Sequence, residues 1–189
     1  MANKVKFGLS NVHIAPISAI SNSGVTYGTP FALPGAVNLT LDPEGESADF
    51  FGDNTKYFSE FANQGYSGSL EIALINDDFR TQILGETVDS NGAMTESIND
   101  TIKNFALGFQ INGDKTNRKY WFYNVSAQRP STASQTIETS KTPNTDTLNI
   151  TASARIHDGK VKTYLEKTDD NTTAYNNFFT EVYESVVSA

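Results

Sequence analysis

The sequence predicts a mainly β protein, a sandwich or distorted barrel of two packed sheets with one flanking helix and a C-terminal helix or arm. Three observations carry that expectation. Apolar and polar residues alternate in several runs of strand length, Gly, Asn and Asp punctuate the chain between those runs, and only two segments space their apolar residues by threes and fours. With 189 residues, 38% hydrophobic and 11% aromatic, the chain has the material for one packed domain spanning residues 1–189.

The elements follow in chain order. Lys4–Ala15 alternates, with Val5, Phe7 and Leu9 toward one face. Pro16–Pro30 is rich in Ser, Gly and Thr and reads as a loop, so residues 1–30 form an arm and a loop. Phe31–Leu41 alternates again, with Val37, Leu39 and Leu41 inward. Residues 42–55 read as a long acidic loop in which Phe50 and Phe51 stand in polar surroundings. Lys56–Phe61 and Tyr66–Ile75 are expected strands around a hairpin turn at Asn63-Gln64-Gly65.

Asn76–Gly85 is the clearest short helix. Asn76 or Asp77 can cap its free amides, Phe79, Ile83 and Leu84 share a face, and Gly85 supplies a left-handed stop. Asp89-Ser90-Asn91-Gly92 turns a polar hairpin, and Asn112-Gly113-Asp114 turns between strands Phe105–Ile111 and Lys119–Gln128. In the second of these strands Tyr120, Phe122 and Val125 oppose Trp121 and Tyr123, the pattern of a central strand covered on both faces. Thr132–Ser140 is almost wholly Ser, Thr and Gln and reads as a solvated edge. Thr145–Ile156 alternates with Leu148, Ile150, Ala152 and Ala154 inward. Residues 169–189 form a C-terminal helix or arm, whose stripe is Tyr175, Phe178, Phe179, Val182, Tyr183 and Val186.

Composition narrows the function. Fourteen basic residues against 22 acidic give a net charge of −8, which disfavours gripping nucleic acid by its phosphates or docking on anionic lipid. The absence of cysteine removes disulfides, thiolate metal sites and thiol nucleophiles. Lys4 and Lys6 are followed by Ser10, Asn11 and His13 rather than a continuous apolar run, so a protein made and used without export is expected. No window approaches the ~18 apolar residues of a membrane-spanning helix.

Motifs for chemistry are scarce. Neither GxxxxGK[ST], GxGxxG nor HExxH occurs. Gly65-Tyr66-Ser67-Gly68-Ser69 imitates a nucleophile elbow only loosely, between strands. His13 and His157 are the only histidines, and each reads as structural. The pairs Asp77-Asp78 and Asp169-Asp170 suit helix starts, and the acids of 42–55 lack EF-hand spacing. No catalytic, cofactor-binding or metal residue is assigned. The residues point instead to surfaces: Phe50 and Phe51 call for a cover, and exposed sheet edges invite strand addition.

Long phrases of the chain resemble one family. They are NKVKFGLSNVHIAPI, GTPFALPGAVNLTLDPEGESADFFGDNTKYF, NQGYSGSLEIALINDDFRTQILGE, KNFALGFQINGDKTNRKYWFYNVSAQRPS and TDTLNITASARIHDGKVK. In content and order they are similar to the major tail protein, or tail tube protein, of long non-contractile-tailed phages of Gram-positive bacteria. The resemblance spans nearly the whole chain and loosens after Lys162. It implies a β-sandwich-like protomer that closes into hexameric rings. The rings stack around a tape-measure protein, engage tail-tip and terminator proteins, and form a conduit through which DNA leaves without specific binding. It implies assembly in the host cytoplasm and residence in the virion tail, with no membrane partner. It also implies that the loop near residues 42–55 and the N-terminal segment reach other rings, which makes Phe50, Phe51, Asp42, Asp53 and Phe7 the candidate inter-subunit contacts. The type VI secretion tube protein is a related architecture. The alternative from another class is a secreted carbohydrate-binding or adhesive β-sandwich, with Trp121 and Tyr123 as its sugar platform.

Overall fold

The computed structural model describes residues 5–113, 117–134, 136 and 143–185. The chain runs through β1 (Lys6–Ser21), β2 (Gly24–Tyr27), β3 (Phe31–Ala32), β4 (Ala36–Glu44), β5 (Ser47–Gly52), β6 (Thr55–Phe61) and β7 (Gly65–Ile72). A helical turn, α1 (Asp77–Phe79), flows into a π-helical turn, Arg80–Leu84. There follow β8 (Thr87–Val88), β9 (Met94–Thr95), β10 (Phe105–Gly113), β11 (Arg118–Ala127), β12 (Asp146–Ala152), β13 (Lys162–Glu166) and α2 (Thr172–Asn176).

The fold is mainly β, as the alternation requires. One antiparallel sheet runs in the order β2-β1-β10-β11-β12-β7-β4, with β3 added to β1 and β13 to β11. The two packed layers are halves of this single sheet, which curls until β1 and β4 touch without pairing. Its concave face holds the main core: Val12 and Ile14 of β1, Leu70 and Ile72 of β7, Phe105, Leu107 and Phe109 of β10, Phe122 and Val125 of β11, and Leu148 and Ile150 of β12. Burying each such side chain contributes about 1.5–3 kcal/mol, so this cluster is the dominant favourable term.

The flanking helix closes that core. Asn76 caps it, its side chain accepting from the Phe79 amide at 3.0 Å, and Gly85 ends it at φ 82°. Its second half is π-helical, a correction to the expected α-helix. The inward residues Phe79, Ile83 and Leu84 stand four and five apart, and widening the turn buries all three. Phe79 meets Phe105 edge to face at 5.6 Å.

Several expectations are corrected. In β1 the apolar alternation changes phase: Leu9 is half-buried, Phe7 is exposed, and Val12 and Ile14 are buried. The register slips between Ser10 and His13, where Asn11 takes φ 52°, and this bulge moves inward pointing from odd to even positions. Pro16–Pro30 is not simply a loop, since β1 continues to Ser21 and pairs back with β2. Val37 is exposed because the β4–β7 register slips between Ala36 and Asn38, and Ala36 packs inward in its place. No strand forms over residues 132–134 and 136, and the rest of that expected edge lies outside the described residues. β12 ends at Ala152, which leaves Ala154 exposed.

The convex face carries a second cluster of Ala15, Ala106, Trp121, Tyr123, Phe178 and Val182. The C-terminal segment covers it, but only Thr172–Asn176 is helical, and residues 177–182 are turns. Side chains of β11 take the carbonyls that a continued helix would use. Lys119 Nζ donates to Tyr175 O at 2.7 Å, Trp121 Nε1 to Phe178 O at 2.8 Å and Tyr123 OH to Tyr183 O at 2.9 Å. The stripe residues Tyr175, Phe178 and Val182 are buried as expected, and Val186 lies outside the described residues.

Arg155 fastens this cover. Its guanidinium is buried, lies 4.0 Å over the Tyr123 ring, and pairs with Asp158 and with Glu184 of the C-terminal segment. Burial opposes the Arg155 charge, yet the hydrogen bonds it donates to Glu184 and Asp158 hold its pKa above the ordinary value. Burial, with Glu184 beside it, pushes the Tyr123 phenol up to about 12. Desolvation raises the Asp158 carboxyl, but Arg155 and the Lys160 amide outweigh it and bring it down to about 2. A carboxyl depressed in the folded state stabilises the fold above its unfolded pKa of ~3.9 and loses that effect as pH falls through the folded value. The Asp158→Asn variant is therefore less stable than the parent at neutral pH, and the gap closes between pH ~4 and pH ~2. Urea unfolding across that range checks it, and a gap that does not change with pH counts against the Arg155 clamp.

Candidate functional site

The acidic segment 42–55 is not a loop. β4 extends to Glu44, and β5 and β6 pair as a two-stranded ribbon from Ser47↔Phe61 to Gly52↔Thr55. Asp53 and Asn54 make the tip at φ 50° and 59°, the left-handed geometry of a tight hairpin turn. Nor do β6 and β7 form a hairpin around Asn63-Gln64-Gly65. β6 pairs with β5, and β7 pairs with β4 and β12.

The β4–β7 ladder and the separate two-stranded β5–β6 sheet are joined end to end by backbone hydrogen bonds across residues 44–46 and 62–64. β4 and β7 pair down to Glu44↔Gly65, Gln64 N donates to Glu44 O and Ala62 N to Glu46 O at 2.9 Å each, and β5–β6 continues outward. The ribbon is thus the extension of two core strands beyond the body. At the splice the chains come so close that a Cβ on Gly45 would stand 1.7 Å from Ala62 O. Gly45→Ala therefore breaks the splice. With a net worth of about 1 kcal/mol per bond, amide exchange at Ala62 and Gln64 accelerates roughly five- to tenfold while the core amides keep their protection. Unchanged exchange at those two amides sinks this account.

The ribbon exposes an aromatic surface on both sides. Phe50 is 62% exposed, Phe51 65%, Tyr57 80%, Phe58 53% and Phe61 62%. Directly paired residues share a face, so Phe50 and Phe58 lie on one side, and Phe51 and Phe61 on the other. Tyr57 is the extra residue of a bulge between the Phe50↔Phe58 and Phe51↔Lys56 pairs. On the second face Asp49 takes Lys56 at 2.8 Å and Ser59 at 2.6 Å, and these bonds hold its carboxyl below the usual range. Among the described residues the outer edges of β5 and β6 are unpaired.

Of the expected contact residues, the ribbon brings together Phe50, Phe51 and Asp53. Asp42 lies earlier, on β4 opposite Ser67, and Phe7 is 61% exposed at the start of β1. Sequence reasoning missed Tyr57, Phe58 and Phe61. The signal was present in Asp53-Asn54, a turn pair flanked on both sides by adjacent aromatics.

Other candidates have structural roles. Trp121 and Tyr123 are fully buried under the C-terminal segment, so they offer no sugar platform. Ser67 and Ser69 sit in the β7 ladder opposite Thr151 and Asn149, not at a strand-to-helix elbow. His13 stacks on Phe179 at 4.6 Å, and His157 lies 3.6 Å from the Asp158 carboxylate. A groove of about 350 Å³ between residues 9–13 and 32–36 has His13 as its one titratable lining residue. Among the described residues no three His, Asp or Glu side chains are placed to share a metal ion. No protein-family model matches the chain, and no curated protein matches it in sequence.

Proposed function

We propose that the chain is a self-assembling structural protein, the tail tube protein of a long non-contractile-tailed phage, whose copies form stacked hexameric rings. The observation that carries this reading is the projecting ribbon. It presents five exposed aromatic rings and, among the described residues, two unpaired edges, and backbone hydrogen bonds join it to the core strands. Water-exposed rings at this density gain free energy when a neighbour covers them. The resemblance of the long sequence phrases to tail tube proteins supports the same reading.

In this role the protein's partners are copies of itself, the tape-measure protein inside the tube, and tip and terminator proteins at its ends. Its place is the virion tail, after assembly in the host cytoplasm. The net charge of −8 suits a passage for DNA, since an acidic wall gains nothing from counterion release and repels phosphate within the screening length of about 8 Å at physiological salt. Negative-stain microscopy of concentrated protein tests the proposal. Rings or hollow tubes are expected, and a monomer that stays monodisperse at every concentration overturns it.

A further inference from the structure

The C-terminal segment is attached to the body in an unusual way. Among the described residues none beyond Val161 packs in the concave core, and the apolar residues of 171–185 meet the convex cluster. Every hydrogen bond that the backbone of 171–185 makes to another backbone group among the described residues stays inside the segment: Tyr175 N donates to Asn171 O, Asn177 N to Thr173 O, Phe178 N to Tyr175 O and Thr180 N to Asn177 O. The body reaches the segment with side chains instead. Lys119, Trp121 and Tyr123 alternate along β11 and so share its convex face, and they donate in turn to the carbonyls of Tyr175, Phe178 and Tyr183. Lys119 Nζ also lies 4.2 Å over the Tyr175 ring and 5.0 Å over the Phe179 ring, and His13 stacks on Phe179. At the far end Arg155 pairs with Glu184, and Lys160 Nζ donates to Ser185 Oγ at 3.1 Å. Capture of main-chain groups by fixed partners, with pockets for selected side chains, is how a protein surface holds a peptide.

Independently of how copies assemble, we infer that the convex face of β11 is a peptide-binding groove, and that residues 171–185 occupy it as a tethered ligand that leaves and rebinds while the body stays folded. Charge complementarity identifies the occupant. Residues 168–185 carry Asp169, Asp170, Glu181 and Glu184 and no Lys or Arg. The groove meets them with Lys119, Arg155 and Lys160 against Asp158. On a chain of net charge −8 this is a locally basic surface, and the ligand it fits is acidic and aromatic. The aromatic anchors Tyr175 and Phe178 are buried, and Trp and Tyr on the groove side present an apolar body with a polar tip. Residues 167–170, the tether, are exposed throughout. A short tether keeps its ligand at a local concentration on the order of millimolar, so the groove is filled in the free chain even by a ligand of modest affinity. A ligand bound only by the folded state also stabilises that state.

A specific protease site inserted between Lys167 and Thr168 cuts the exposed tether of the folded full chain. Trp121 is the only tryptophan and lies under the segment, so its emission reports occupancy of the groove. The cut protein is expected to keep the parent's emission and circular dichroism when concentrated. On dilution the emission moves to longer wavelength while the circular dichroism holds, and synthetic peptide 168–189 restores the emission saturably. The same peptide carrying Phe178→Ala binds at least about tenfold more weakly. Loss of the β circular dichroism on cutting or on dilution overturns the inference, because the body then cannot keep its sheet without the segment. A cut protein that takes up no fluorescein-labelled 168–189, or whose emission a scrambled peptide of the same composition restores equally well, overturns it too.

Discussion

If the chain assembles as proposed, a variant carrying Phe50→Ser and Phe51→Ser remains monomeric at concentrations where the parent assembles, and its far-ultraviolet circular dichroism matches the parent's. Both parts follow from position. The rings are 62% and 65% exposed in the free chain and touch no core cluster, so removing them leaves the folded state intact. Each presents about 120–130 Å² of apolar surface, worth about 3 kcal/mol if a neighbour covers it. The cost of association and ordering absorbs part of that gain. The part remaining still raises the critical concentration at least ~100-fold, since 1.4 kcal/mol is a factor of ten. Because the two rings lie on opposite faces of the ribbon, single substitutions separate the faces. Tubes of parental length from the double variant defeat the proposal that these rings are contacts.

The second large effect is internal. Phe178→Ala costs about 3–5 kcal/mol, the range for truncating a buried aromatic. Phe178 is 1% exposed, stacks on Tyr183 at 5.1 Å and meets Phe179 edge to face at 5.5 Å, and its carbonyl accepts from Trp121. At 2–4 °C per kcal/mol for a chain of this size, Tm falls by about 10 °C. Trp121 is the only tryptophan, so its emission reports the cover directly. Loosening the segment admits water to the indole and moves emission to longer wavelength. A Tm within ~2 °C of the parent, with unshifted emission, shows that residues 171–185 are not part of the folded core.

What was legible in the sequence was what a burial contrast writes into it. β11 alternates two apolar faces because both are covered, and the Asn76–Gly85 helix announces its cap, its face and its stop. The ribbon was hidden for the converse reason. Both of its faces meet solvent in the free chain, so residues 47–55 show no period of two and their acids read as loop, while Lys56–Phe61 is legible as a strand and falls within β6. Pairing that skips over an inserted ribbon, β4 with β7, is a long-range choice that a local turn such as Asn63-Gln64-Gly65 obscures. The bulge at Asn11 moved the inward face of β1 by one position, a change of one backbone angle with no apolar signature. At the C-terminus the stripe identified which residues are buried but not their conformation. Donors on β11, distant in sequence, claimed the carbonyls a helix needs.

The splice at Glu44 and Gly65 has a mechanical consequence. A pull on the ribbon's tip loads β4 and β7 lengthwise, along their axes. The seven residue pairs that bind β7 to β12 run across that axis, so they resist sliding together rather than peeling one by one. A load applied at Asp53 is therefore carried into the central sheet through the backbone hydrogen bonds at the splice.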